Sequence, residues 1–110
     1  MAIDKLDVID FIHLDDEYVV LTITDAMDWI NEHQHLYLLQ EKVNRYLEFI
    51  ESGQILESYP LCVGKKVMIS VKSLYEYPRR AVILCRKIEK ILNKNHYSFE
   101  YGILEEEKGM

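Results

Sequence analysis

Apolar and polar positions alternate along this chain with two different periods, and each change of period marks a structural element. Val8-Ile9-Asp10-Phe11-Ile12-His13 reads as a first strand, followed by an acidic turn at Asp15-Asp16-Glu17. Tyr18 to Thr24 then alternates with period two, with Val19, Leu21 and Ile23 on one face and Tyr18, Val20, Thr22 and Thr24 on the other. The short polar turn between the two strands predicts an antiparallel hairpin. The period next becomes helical. Leu36, Leu39, Val43, Tyr46 and Ile50 recur at spacings of three and four, and Leu47 widens the stripe. This pattern predicts a long helix capped by Thr24 or Asp25, carrying Trp29 in its first turns and stopping at Gly53. Residues 54–64 read as a connection punctuated by Tyr59-Pro60.

Val67 to Lys72 forms the next predicted strand, with Val67, Ile69 and Val71 inward. Pro78 suits the opening of a second helix, in which Ala81, Leu84, Cys85, Ile88, Ile91 and Leu92 make one apolar stripe ending near Asn95. Tyr97, Phe99, Tyr101 and Ile103 alternate in a fourth strand. The order β-β-α-β-α-β predicts an α+β fold. Right-handed strand–helix–strand crossovers make it a two-layer sandwich, a four-stranded mixed sheet with two helices on one face. Residues 1–104 form a single domain, and residues 105–110 a frayed acidic tail. The second sheet face, carrying Tyr18, Val20 and Met68, is left partly open, which suggests a surface for a protein partner or for self-association.

Charge adds one feature to this picture. The net charge is −6, yet residues 1–64 hold thirteen Asp/Glu against three Lys/Arg, and residues 65–94 hold nine Lys/Arg against two Asp/Glu. The two halves of the fold are thus expected to attract each other or an oppositely charged partner. Contact with nucleic acid through Arg79, Arg80, Arg86, Lys87 and Lys90 is disfavoured by the overall negative charge. Two cysteines, Cys62 and Cys85, are too few and too separated for a disulfide scaffold or a C-x-x-C site. Cys85 lies in an apolar run and reads as a buried reduced thiol, whereas Cys62 reads as an exposed loop residue without an obvious base beside it. The longest apolar run, residues 81–85, is far too short to span a membrane. The N-terminal stretch lacks the basic start and apolar core of a signal peptide, so a cytoplasmic location is expected.

Catalytic motifs are missing. The four glycines are too dispersed for a phosphate-binding loop, and no serine sits in a nucleophile elbow. His33 and His35 are two apart on a predicted helix, so they diverge and cannot share a metal ion; His35 is expected to pack at the core edge or make a hydrogen bond. No metal and no cofactor are expected. The most suggestive polar set is a row along the long helix, Tyr37, Gln40, Asn44, Glu48 and Glu51. Gln40, Asn44 and Glu51, with Tyr59 from the connection, are the candidate ligand- or partner-binding residues. The row could instead anchor the 54–64 segment by hydrogen bonds.

The run from His35 to Gln54, HLYLLQEKVNRYLEFIESGQ, together with Thr24-Asp25, Asp28-Trp29 and Tyr59-Pro60, resembles a family of small bacterial proteins of unknown function, over about Ile3 to Ile103. The resemblance implies a bacterial origin and a single-domain build, and it carries no catalytic residues. The expected role is therefore a non-enzymatic protein-interaction or accessory module, working as a homodimer or on another protein. The alternative is a small-molecule-binding protein or enzyme with its pocket between the long helix and the 54–64 segment.

Overall fold

Backbone pairing in the computed structural model, which describes residues 10–104, joins four strands in the order β1-β2-β3-β4. They are β1 (Phe11–Leu14), β2 (Tyr18–Asp25), β3 (Lys66–Ser73) and β4 (Ser98–Ile103). The β1–β2 pair is antiparallel, and β2–β3 and β3–β4 are parallel, so the sheet is mixed as the element order implies. The hairpin turn is locked by Asp15, whose carboxylate accepts the backbone amides of Glu17 (2.8 Å) and Tyr18 (2.7 Å). Those two bonds hold its carboxyl below the usual carboxylate range. Val8 and Ile9 of the predicted first strand, and the predicted tail at 105–110, lie outside the described residues.

Register places Val19, Leu21 and Ile23 beside Val67, Ile69 and Val71, with Phe99 and Tyr101 next in line. These side chains share one sheet face and one core with Leu39, Val43, Tyr46, Cys85, Ile88 and Leu92 from the helices. The helices α1 (Glu32–Glu51) and α3 (Arg79–Lys94) each cross between neighbouring parallel strands and cover that face. The opposite face carries a polar ladder. Ser70 donates to Glu100 (2.9 Å), Lys72 pairs with Glu100 (3.5 Å) and Lys66 with Glu17 (3.0 Å), while Tyr18, Val20 and Met68 are half-buried between them.

Three features depart from the sequence reading. First, α1 begins at Glu32 rather than at Thr24 or Asp25. Asp25 and Asp28 turn their carboxylates onto the amides of Met27 and Ile30 (both 3.1 Å), two local turns that compete with helix. The cap falls to Asn31, whose side chain accepts Gln34 N–H and donates to the Gln34 side chain (both 3.2 Å). Trp29 therefore stands in the loop before α1. Second, residues 54–64 hold a short helix α2 (Gln54–Ser58) and a 3₁₀ turn (Pro60–Cys62), which send Ile55 and Cys62 into the core. Cys62 is consequently buried, not exposed, and burial pushes its thiol above the usual value. Third, Pro78 is the residue just before α3, at its cap, rather than inside its first turn.

Helix ends follow the expected chemistry, with one substitution. Gly53 closes α1 with φ of 85°. The corresponding residue after α3 is His96, with φ of 69°. Its amide bonds to Asn93 O (3.1 Å), and the Tyr97 amide reaches back to Leu92 O (2.9 Å), the double bond of a Schellman stop. A β-carbon in this left-handed conformation costs on the order of 1 kcal/mol. His96→Gly is therefore expected to stabilise the fold by roughly 0.5–1 kcal/mol, a rise of a few degrees in Tm by calorimetry. A fall in Tm would show that the imidazole contributes more than the strain costs.

Candidate functional site

The stripe by which α1 meets the sheet is not wholly apolar. His35, Lys42 and Tyr46 lie on it beside Leu39 and Val43, all buried. Each polar member needs a partner, because an unpaired polar or charged group in a core is costly.

His35 meets Asp25 at the carboxyl end of β2, Nε2 to Oδ2 at 2.5 Å, and its Nδ1 stands 2.9 Å from the carbonyl of Asp28. A carbonyl only accepts, so Nδ1 carries a proton and the second proton lies between Nε2 and the Asp25 carboxyl. Trp29 stacks flat on the imidazole, with centroids 3.5 Å apart and planes 11° apart, and Tyr77 tilts against Trp29 at 6.1 Å. Tyr77 donates to Gly102 O (3.0 Å) and meets Tyr101 edge-on. The Trp29 indole N–H is buried and makes no hydrogen bond among the described residues.

Two turns along α1, Lys42 reaches Asp10 at 3.2 Å. The other Asp10 oxygen accepts the amide (2.9 Å) and hydroxyl (3.3 Å) of Thr24. The Tyr46 hydroxyl accepts the Asp10 amide (2.9 Å) and donates to Thr22 O (3.1 Å), so a phenol from the helix ties β2 to the residue preceding β1.

Both networks are sealed. Asp25, His35 and Lys42 have almost no exposure, and Cys85 is fully buried. Burial, with the nearby Asp25 carboxylate, raises the Cys85 thiol to about 12, which leaves it a poor nucleophile. Among the described residues, no group of three or more His, Cys, Asp or Glu is placed to hold a metal ion. His33 is exposed and His35 buried, on different sides of α1.

An accessible concavity lies on the other side of the helix layer. An apolar groove near 300 Å³ runs between α1 and α3, with Val43, Leu47, Leu84, Ile88, Ile91 and Leu92 along it and Gln40, Asn44 and Lys87 among its polar lining. Gln40 and Asn44, chosen from the sequence, thus come together here, opposite α3. Glu51 lies with Asn44 on a larger but open hollow near 430 Å³, bounded by α1 alone. Tyr59 lines neither, and packs edge-on to Phe49 with centroids 6.5 Å apart. Neither Gln40 nor Asn44 makes a side-chain hydrogen bond among the described residues, so the row does not anchor the 54–64 segment through them.

The groove walls carry opposite charge. Helix α1 has Glu32, Glu41, Glu48 and Glu51 against Arg45 and the buried Lys42, and α3 has six Lys/Arg against Glu89. Arg80 approaches Glu32 at 3.9 Å, so the first turns of the two helices lie at similar heights.

These features define a small two-layer α+β domain with a sealed polar core and an open, two-signed helical face. The chain belongs to a family of unknown function, DUF6572, whose model matches residues 1–105. No curated protein and no solved structure matches it. No helix among the described residues is long and apolar enough to cross a membrane.

Removing one partner of a sealed pair strands the other. Asp25→Ala and His35→Ala are each expected to cost roughly 3–5 kcal/mol, and the double variant less than their sum, by urea denaturation. Additive losses would mean that the two side chains act independently.

Alkali should also weaken the fold. The folded chain keeps the Cys85 thiol protonated to about 12, and burial raises Tyr46 and Tyr77 as well, whereas ordinary thiols and phenols ionise near 9.0 and 10.0. Between those values the native state binds more protons than the unfolded state, so stability falls as pH rises. The urea midpoint should drop steadily from about pH 9 upward. A flat profile to pH 11 would contradict the burial of these groups.

Proposed function

We propose that this chain is a non-enzymatic, cytoplasmic protein-interaction module of a bacterial cell, whose contact surface is the outer face of α1 and α3. The single observation that carries this reading is the apolar groove flanked by an acidic helix and a basic one. Apolar surface supplies affinity, and the two signs of charge supply orientation and reject mismatched partners. The ionisable groups that could do chemistry are buried and internally bonded, which favours a structural role for them. Two free, buried cysteines suit a reducing compartment. The bacterial setting rests on the family resemblance.

Ile91 is the sharpest probe, since it lines the groove and remains 56% exposed. The immobilised chain should retain a defined polypeptide from host extract, whether a second copy or another protein. Ile91→Glu should reduce that retention at least about tenfold while leaving the circular dichroism unchanged. Equal retention by the variant would refute the helical face as the contact surface.

A second reading has one observation in its favour. The groove volume lies at the lower end of small-molecule sites and includes the polar groups of Gln40, Asn44 and Lys87. A compound bound there would raise the thermal midpoint of the wild type but not of Ile91→Glu.

A further inference from the structure

We infer that the partner seated on the helical face is a second copy of this chain, in an isologous dimer whose two-fold axis runs along the α1–α3 groove. The inference rests on the reading of that face as a contact surface, and it adds the occupant and the symmetry.

Charge selects both. Because α1 and α3 start level and run side by side, two kinds of two-fold axis can stack one helix layer on another. An axis across the helices lays α1 on α1 of the partner and α3 on α3, acid on acid and base on base. An axis along the groove keeps the direction of each helix and swaps the walls, so that α1 of each copy lies over α3 of the other. Only this second arrangement brings unlike charges together, and it does so twice by symmetry.

The spacing along the helices agrees. Counting from the Glu32–Arg80 approach at about 1.5 Å per residue, Glu41 and Lys87 stand within about 3 Å of the same height, and so do Glu48 and Lys94. Each pair of like residues is two helical turns apart, so both contacts form in one register. Tyr37, 60% exposed on α1, and Ile83, 46% exposed on α3, also fall within about one turn of the same height and would meet across the axis. Such a meeting gives a role to two large side chains otherwise left in water. The helices are about 30 and 24 Å long and about 10 Å wide each, a footprint of roughly 500 Å² in projection. That area places the dimer at the small end of specific interfaces, and its charged contacts make it sensitive to salt.

The test uses the full chain in sedimentation equilibrium from micromolar to near-millimolar concentration. The wild type should dimerise, and added salt should weaken the dimer. Glu41→Lys with Glu48→Lys makes both helices basic, and Lys87→Glu with Lys94→Glu cancels most of the positive charge of α3 and sets acid against acid at both contacts. Each double variant alone should lose at least about tenfold in self-association, and an equimolar mixture should recover the dimer. Circular dichroism of each variant checks the fold. A wild type that stays monomeric throughout overturns the inference; if Ile91-dependent retention of a different protein persists, the helical face still stands as a contact surface. A dimer untouched by either double variant, or strengthened by salt, overturns the proposed axis.

Discussion

A buried polar pair tolerates very little displacement, and α1 carries two of them. His35 must find Asp25, and Lys42 must find Asp10, or a polar group is left without partner or solvent. The intervening Leu39 and the neighbouring Val43 would accept many small rotations of the helix, because apolar contacts are non-directional. The polar members would not. Turning α1 by one residue rotates the stripe by about 100° and carries both bases away from their carboxylates. Tyr46 adds a third fixed point, since its hydroxyl has one donor and one acceptor waiting on either side of the strand gap. Position and rotation of the helix over the sheet are thus set by hydrogen-bond geometry, with hydrophobic burial supplying the bulk of the adhesion.

The outer surface inherits its layout from that constraint. Once the sealed stripe faces the sheet, Gln40, Asn44 and Leu47 are turned toward α3, and Glu48 and Glu51 toward solvent. The acidic half of the sequence and the basic half then lie side by side in one layer. A charge imbalance spread along the chain becomes a charge boundary running down a groove, and it is this boundary that gives the helical face a direction.

Much of the architecture was legible in the sequence. Alternation of Val19, Leu21 and Ile23, and of Ile69 and Val71, announces strands buried on one face; the repeats of Leu39, Val43 and Tyr46, and of Ala81, Cys85, Ile88 and Leu92, announce the helices. Gly53 marks a helix stop through its freedom at positive φ. The misplaced helix start has a local cause: a short polar side chain has several local uses of similar energy. Asp25 and Asp28 look like helix caps, yet they close their own turns and leave capping to Asn31. Ile55 and Cys62 sit in a stretch too short and irregular for a period to show, so their burial was invisible. The buried polar pairs were hidden for another reason. His35 and Lys42 lie seven residues apart on the apolar stripe, which hints at buried charge, but their acids come from the sheet and no local spacing connects them. That Gln40 and Asn44 lie together was legible because they share a helical row; their neighbour across the groove comes from forty residues further along the chain, and only the fold supplies it.

The sheet order has a consequence for how the molecule comes together. Residue 18 pairs with residue 66 and residue 68 with residue 98, both in parallel. No central contact can therefore form until a long loop has closed and its entropy has been met, and the first of those loops contains all of α1. Among the described strand pairs, only the β1–β2 hairpin is local. Assembly must wait on distant encounters, which places the folding time of this small domain among mixed α/β chains rather than among helical bundles of the same length.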